Sequence, residues 1–317
     1  MQEFTITETT RPRLDAALLA RFPRLSAGSL YKYLRENKIK VDGKRQPLST
    51  RLAPGSTVRV YLPDALLNAP DGPAFLAARP ELRVIYEDAA VLAVDKPAGL
   101  PVNDENEEIA DTLIHRAMLY LHRKGEFSPG HDFAPQLCHR LDTGTSGLVL
   151  IAKAPQAEQR LLELIRLRSI EKRYLCVTYG QPVPAAATLH AYLLKDARQA
   201  HVRVLSAPAP GAKQIITQYR TLAVSGRLAL LEVTLITGRT HQIRAHLASV
   251  GCPVLGDGKY GCNAVNRELR LKYQALCAHS LHFPVLPPDD PCAHLSGKTL
   301  HTEEPWYAVQ VRDGTLR

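Results

Sequence analysis

The feature that most constrains this chain is the run 138–153, CHRLDTGTSGLVLIAK, where a polar loop carrying Gly144 and Gly147 passes directly into the apolar stretch 148–152. An uninterrupted apolar strand has no polar face, so it belongs inside a sheet that is covered on both sides. A loop feeding such a strand is held rigidly at its end. Asp142 stands in that loop, where its carboxylate is free to point into open space. Spacing alone would leave it an ordinary turn residue.

Around this run, strand-like and helix-like patterns alternate irregularly. Strands are expected at 82–86, 91–94, 147–152, 174–177, 215–219 and 228–236. In the last of these, Leu231, Val233 and Leu235 share one face, and Glu232 and Thr234 share the other. Helices are expected at 109–122, from Pro155 to about 166, and over about 239–250. In the third helix Ile243, Leu247 and Val250 form the apolar stripe, with Arg244 near its edge. The mixed order predicts an α+β fold rather than a doubly wound sheet.

Charge divides the 317 residues unequally. Residues 11–62 hold twelve Lys and Arg against three Asp and Glu, a net of +9, while the rest of the chain balances at 28 of each sign. One small segment therefore carries the whole excess, and localised positive charge attracts polyanions. Two short helices are expected there. The first covers 13–22, with Leu14, Ala17, Leu18 and Phe22 inward; the second runs from an N-cap at Ser26 to about 37, with Leu30 and Leu34 inward. A hairpin follows, with Ile39 and Val41 before the Asp42-Gly43 turn and a strand at 57–61. The pieces RLDAAL, LSAGSLYKYLRENKIKVDGK and LAPGSTVRVYL resemble the S-four-like RNA-binding module first known from a small-subunit ribosomal protein. By that resemblance Lys32, Arg35, Lys38, Lys40, Lys44 and Arg45 are the phosphate-contacting candidates. The organisation expected is a module at 1–64, a proline-rich linker at 65–81 and a main domain at 82–317.

Several function classes drop out. No apolar run reaches the length of a membrane span. Residues 1–10 are polar and acidic, unlike a signal peptide, so a cytoplasmic location is expected. The six cysteines form no C-x-x-C pair and read as buried thiols. His139, His241 and His246 invite a metal reading, but the last two are five apart and no H-E-x-x-H occurs. HRLD lacks the D-F-G of a kinase, and LGDGKYG lacks P-loop spacing and reads as a turn. No metal or cofactor is expected.

The words His139-Arg140-Leu141-Asp142 and Thr145-Ser146-Gly147 resemble the signature of the large pseudouridine synthase family that modifies ribosomal and transfer RNA. Further blocks agree in order: Asp95-Lys96-Pro97-Ala98-Gly99, Lys172-Arg173-Tyr174, TGRTHQIRAHLASVGCPVLGDGKYG at 237–261 and LCAHSLHF ending at Phe283. The resemblance spans 82–283. It departs at Leu100-Pro101-Val102-Asn103-Asp104, where family members often carry a Val-Val-His-Pro-like continuation, and this bears on the target uridine. It implies a mixed, mainly antiparallel sheet with flanking helices and a central RNA-binding cleft.

The resemblance also implies an isomerase that needs no cofactor. Asp142 is then the essential carboxylate, and Arg140 fills the gap left by a flipped-out uridine. Tyr174 stacks on the uracil and helps to remove the carbon-5 proton. Arg244 is expected to pair with Asp142, with Arg239 as the alternative, better placed for phosphate. His139, Thr145 and Lys172 join the substrate side, and Leu281 supplies apolar wall. Ribosomal RNA of the large subunit is the expected target, transfer RNA the alternative, and a monomer the expected state. Two other readings compete: an RNA-binding accessory protein without activity, and a hydrolase that releases the base. The first should have lost at least one of Asp142, Tyr174 and Arg244; the second needs another carboxylate to activate water.

Overall fold

A computed structural model describes residues 1–7, 10–22, 25, 27–63, 67, 73–104, 111–196 and 201–317. They form two compact units, Met1–Pro80 with Asn103–Leu119, and Glu81–Val102 with Tyr120–Arg317. No helix among the described residues is long and apolar enough to cross a membrane.

In the first unit a strand β1 (Gln2–Thr5) precedes helices α1 (Leu14–Arg21) and α2 (Ala27–Arg35) and strands β2 (Ile39–Val41) and β3 (Thr57–Val60). The strands pair antiparallel in the order β1-β3-β2. No local pattern predicts β1: its residues are mostly polar, and only pairing with β3 makes it a strand. The cap expected at Ser26 lies outside the described residues. Leu14, Leu18, Phe22, Leu30 and Leu34 are buried together, as the helical spacing requires. Asp42 (φ 49°) and Gly43 (φ 78°) make the tight turn after β2. Leu67 is buried in this same core and Phe75 is also buried, so the stretch expected to be a linker is not solvated throughout. Lys32, Arg35, Lys38, Lys44 and Arg45 are exposed and Lys40 half-exposed. None of the six is ion-paired among the described residues.

The second unit is built on one eleven-stranded sheet. Its strands are β4 (Arg83–Glu87), β5 (Val91–Lys96), β6 (Gln136–Leu137), β7 (Ser146–Ala152), β8 (Glu171–Tyr179), β9 (Ala186–Asp196), β10 (His201–Leu205), β11 (Lys213–Ser225), β12 (Leu228–Leu235), β13 (Leu276–His282) and β14 (Thr299–His301). The order is β10-β9-β11-β12-β8-β13-β7-β5-β4, with β14 on β13 and β6 on β7. Among the described pairings only β13 with β7 is parallel, so the sheet is mixed and mostly antiparallel. The fold is α+β. Helix α3 (Leu113–Arg123), whose residues up to Leu119 belong to the first unit, begins later than expected, and residues 109–110 lie outside the described ones. Helix α4 (Pro155–Arg166) starts on Pro155 and buries Ala157, Leu161 and Leu164 against Leu148, Leu150 and Ala152 of β7. Helix α5 (Gln242–Ser249), helix α6 (Asn263–Glu268) and helix α7 (Trp306–Arg312) complete the unit. Leu228 and Leu230, on the face of β12 expected to be polar, are buried under Tyr307, Ala308 and Val311 of α7. That helix has no strong stripe in the sequence, so the covered face could not be anticipated. All six cysteines are free thiols, five of them buried.

Candidate active site

The loop ahead of β7 is pinned from three sides. Asp142 closes a turn by accepting the Thr145 N–H at 3.0 Å on its backbone carbonyl. Beside it, the Thr143 carbonyl accepts the Gly99 N–H (2.7 Å) and Lys96 Nζ (3.1 Å). Lys96 is fully buried and also donates to the carbonyls of Pro97 and Leu100. Burial pulls its ammonium down to about 8, with the charges of Asp142 and Asp95 opposing. Thus Asp95-Lys96-Pro97-Ala98-Gly99 holds the loop that carries Asp142. On the third side Gln274 Nε2 donates to Thr145 Oγ1 at 3.0 Å. Gly147 (φ 111°) lies so close to Ala278 that a Cβ would overlap that residue's backbone, which is why glycine opens the strand.

Asp142 Oδ2 accepts a hydrogen bond from Arg244 Nη1 at 2.7 Å. Of the two candidate arginines it is Arg244 that meets the carboxylate; Arg239 is exposed at the pocket edge. α5 is shorter than expected, and Val250 lies past its end and exposed rather than on an inner stripe. Every residue from Gln242 to Leu247 is buried. Arg244, 7% exposed, is therefore inside the fold, not at the edge of a stripe.

A buried guanidinium needs more than one acceptor, and sequence reasoning missed the second. Asp257 takes Arg244 Nε at 2.6 Å and Nη2 at 2.8 Å, in the two-pronged geometry arginine favours. Its side chain is 0% exposed and also accepts the backbone N–H groups of Lys259 and Tyr260. Burial alone would raise this carboxyl, but Arg244 and those N–H groups hold it below the usual range. Arg244 is likewise opposed by burial yet raised by Asp257 first and Asp142 second. The turn LGDGKYG thus carries the anchor of the guanidinium. Nothing in its spacing marks that, because the partners are thirteen residues apart in sequence.

Arg140, Leu141, Asp142, Thr145, Tyr174, Leu235, Arg239, His241, Gln242, Ile243, Arg244 and Leu276 line one pocket around Asp142, whose side chain is 25% exposed. Tyr174 is buried, and burial first and the Asp142 charge second raise its pKa. Both effects keep its hydroxyl in the neutral form. Three expected site residues stand elsewhere. Leu281, 2% exposed, packs in the core with Leu148 and Phe283; Leu235, Ile243 and Leu276 make the apolar wall instead. His139 accepts the Leu150 N–H on Nε2 at 3.1 Å, and burial with the nearby Lys172 charge holds it at about 3, so it braces β7. Lys172 Nζ comes close to Gly238 and is not among the residues lining the pocket. Gln242, which the sequence does not single out, pins the 237–239 loop by accepting from Thr237 Oγ1 and the Arg239 N–H while donating to Ile216 and Thr217. His246 bonds Thr217 and stays structural.

A broader concavity lies over β8, β12, β11 and β9, lined by Arg173, Thr234, Gln218 and Thr188 in one cross-strand row. Adjacent strand residues face opposite ways, so it is on the other side of the sheet from Tyr174. Its Arg173 and Arg220 are paired with Glu171 and Glu232.

A family model for RNA pseudouridylate synthase matches residues 90–249, about half of the chain, including Asp142, Tyr174 and Arg244. The chain belongs to that family. Its activity is that of an RNA pseudouridine synthase. A ribosomal large subunit pseudouridine synthase C of Rickettsia bellii is 34% identical over 266 residues, 81% of this chain and 85% of the relative. An uncharacterized RNA pseudouridine synthase of Mycoplasma pneumoniae is 32% identical over 86% of this chain and 85% of its own length. The solved human RNA pseudouridylate synthase domain containing 4 shares the fold, with a TM-score of 0.57 at 23% identity, over 72% of this chain and 91% of that one.

Proposed function

We propose that this synthase converts uridines of structured RNA, with large-subunit ribosomal RNA as the target class, by flipping the base into the Asp142 pocket. The target class rests on the Rickettsia relatives, whose names assign them to the ribosomal large subunit and whose lengths this chain matches by 85–88%. The observation that carries the chemistry is the Asp142–Arg244 contact at 2.7 Å, with Tyr174 in the same pocket.

Isomerisation breaks the bond from the anomeric carbon to N1, turns the uracil, and forms a bond to carbon 5. The carbon-5 proton then leaves, and N1 gains one. An ionised carboxylate serves either route into this sequence, adding to the substrate or taking a sugar proton. Arg244 stabilises that ion, and because it holds Oδ2, the other oxygen, Oδ1, is left for the nucleotide. Asp257 keeps the guanidinium in place. The hydrolase reading is disfavoured, since both oxygens of Asp257 are engaged and its side chain is inaccessible to water. Arg140, exposed at the pocket rim, takes the space the base vacates. Extrusion costs a few kcal/mol, and filling the gap offsets part of it. We read the first unit as the S-four-like RNA-binding module, its exposed cations binding phosphates.

Asp142→Asn should abolish tritium release from 5-tritiated uridine in RNA while leaving RNA binding within about twofold, since the phosphate-binding cations are untouched. Near-normal release by that variant would refute the assignment. Mapping pseudouridines in RNA from cells with and without the gene identifies the target.

A further inference from the structure

His241 and Tyr260 have no part in the mechanism above, yet His241 shares the pocket with Asp142. It is the residue before α5, and its backbone is left-handed (φ 55°, ψ 17°), a conformation costly for most side chains. Its Nδ1 lies 2.8 Å from the Tyr260 hydroxyl and its Nε2 3.9 Å from Asp142 Oδ2. The hydrogen-bond count favours one tautomer. The Tyr260 oxygen already accepts the Val202 N–H at 3.0 Å, and a hydroxyl has one proton to give. With Nδ1 as its acceptor, the hydroxyl proton and Nδ1 are both satisfied, and only the Nε2–H is left to reach for Asp142. A protonated Nδ1 would aim a second N–H at that oxygen and leave the hydroxyl proton without an acceptor among the described residues. The imidazole proton therefore sits on Nε2, on the side of the catalytic carboxylate. Tyr260 itself is fixed: its ring lies 5.3 Å from the Arg244 guanidinium and 4.3 Å from the His201 ring, and its N–H donates to Asp257.

We infer that His241 is a positioning residue of the reaction: a neutral Nε2–H donor, oriented by Tyr260, that acts on the same Asp142 oxygen as Arg244. The inference rests on the reading of Asp142 given above. At 3.9 Å the donor is not yet a hydrogen bond; such contacts often close only when substrate fills the pocket. Two donors on Oδ2 concentrate charge there and fix the rotation of the carboxylate, so that Oδ1 meets the nucleotide in one orientation. The groups facing the ring agree with a neutral donor. Burial lowers the His241 pKa, Asp142 and Asp257 oppose this, and Arg244 and Lys259 add to it, with a net fall.

The test uses the full chain with nitrogen-15 histidine, and RNA from cells that lack the gene and are grown on 5-tritiated uridine, so that every natural target is present. Tritium release by wild type but not by Asp142→Asn tests the underlying reading separately. Long-range proton–nitrogen spectra at neutral pH should show His241 protonated on Nε2 and bare on Nδ1, with that preference lost in Tyr260→Phe. His241→Ala should slow single-turnover release about tenfold or more, with RNA affinity changed less than about twofold. His241→Asn, which tolerates a left-handed backbone and keeps an N–H donor, should recover most of the rate. An Nδ1-protonated or charged ring in wild type overturns the inference. So does wild-type turnover by His241→Ala, or an Asn variant as slow as the Ala variant.

Discussion

Replacing Asp257 by Asn separates the anchor of the guanidinium from its target. The carboxylate is 0% exposed and accepts four hydrogen bonds, two from Arg244 and two from backbone N–H groups. An asparagine oxygen in the place of Oδ1 can keep the two backbone bonds and the one from Arg244 Nη2. Its amide nitrogen then faces the Arg244 Nε–H, donor against donor. Breaking a buried pair costs about 3–5 kcal/mol. Arg244 keeps Asp142 as a partner, so the low end applies, about 3 kcal/mol. For a unit of this size that corresponds to a fall of roughly 6–12 °C in Tm. Activity should fall further than stability requires. Pushed off at Nε by the amide nitrogen, the guanidinium should tilt toward Asp142 and crowd Oδ1. Single-turnover tritium release at a temperature where the variant is folded should drop about tenfold or more, with little change in KM. Thermal melts and release rates on the same preparation decide it. A variant melting within about 1 °C of wild type, at full rate, would show that Asp257 neither anchors Arg244 nor matters to Asp142.

Two further outcomes follow from the charge map and the buried histidines. Replacing Lys32, Arg35, Lys38 and Lys40 by Ala should flatten the log–log salt dependence of RNA binding by up to about 0.9 for each phosphate no longer neutralised; an unchanged slope would remove the first unit as the anchor. His139 at about 3 and His246 at about 4 are both lowered from 6.5 by burial, so the folded state holds them neutral where the unfolded chain protonates them. Their contribution is therefore complete above pH 6.5 and declines as pH falls from there through about 4 and then about 3. Stability should decline by up to about 1.4 kcal/mol per pH unit for each histidine inside that window, and His246→Gln should reduce the slope between about pH 6 and 5 by up to that amount, as proton linkage requires and denaturant titration reads.

How much of this is legible in the sequence depends on the range of the interactions concerned. The strand 147–152, the helix opening on Pro155 and the inward leucines of α1 and α2 follow from local periodicity and caps, which a single segment determines by itself. The motif order places Asp142, Tyr174 and Arg244 together, and charge counting locates the exposed cations before any fold is known. Tertiary structure decides the rest. Leu281 and Leu276 are both apolar residues of one strand, and only their register against neighbouring strands puts Leu276 in the pocket and Leu281 in the core. Asp257 looks like a turn residue until folding buries it beneath Arg244. His139 and His241 read alike in sequence, yet one braces a strand and the other faces the carboxylate. A pattern along the chain records which residues can be buried or charged; which partner each one meets is set by packing between segments far apart in sequence.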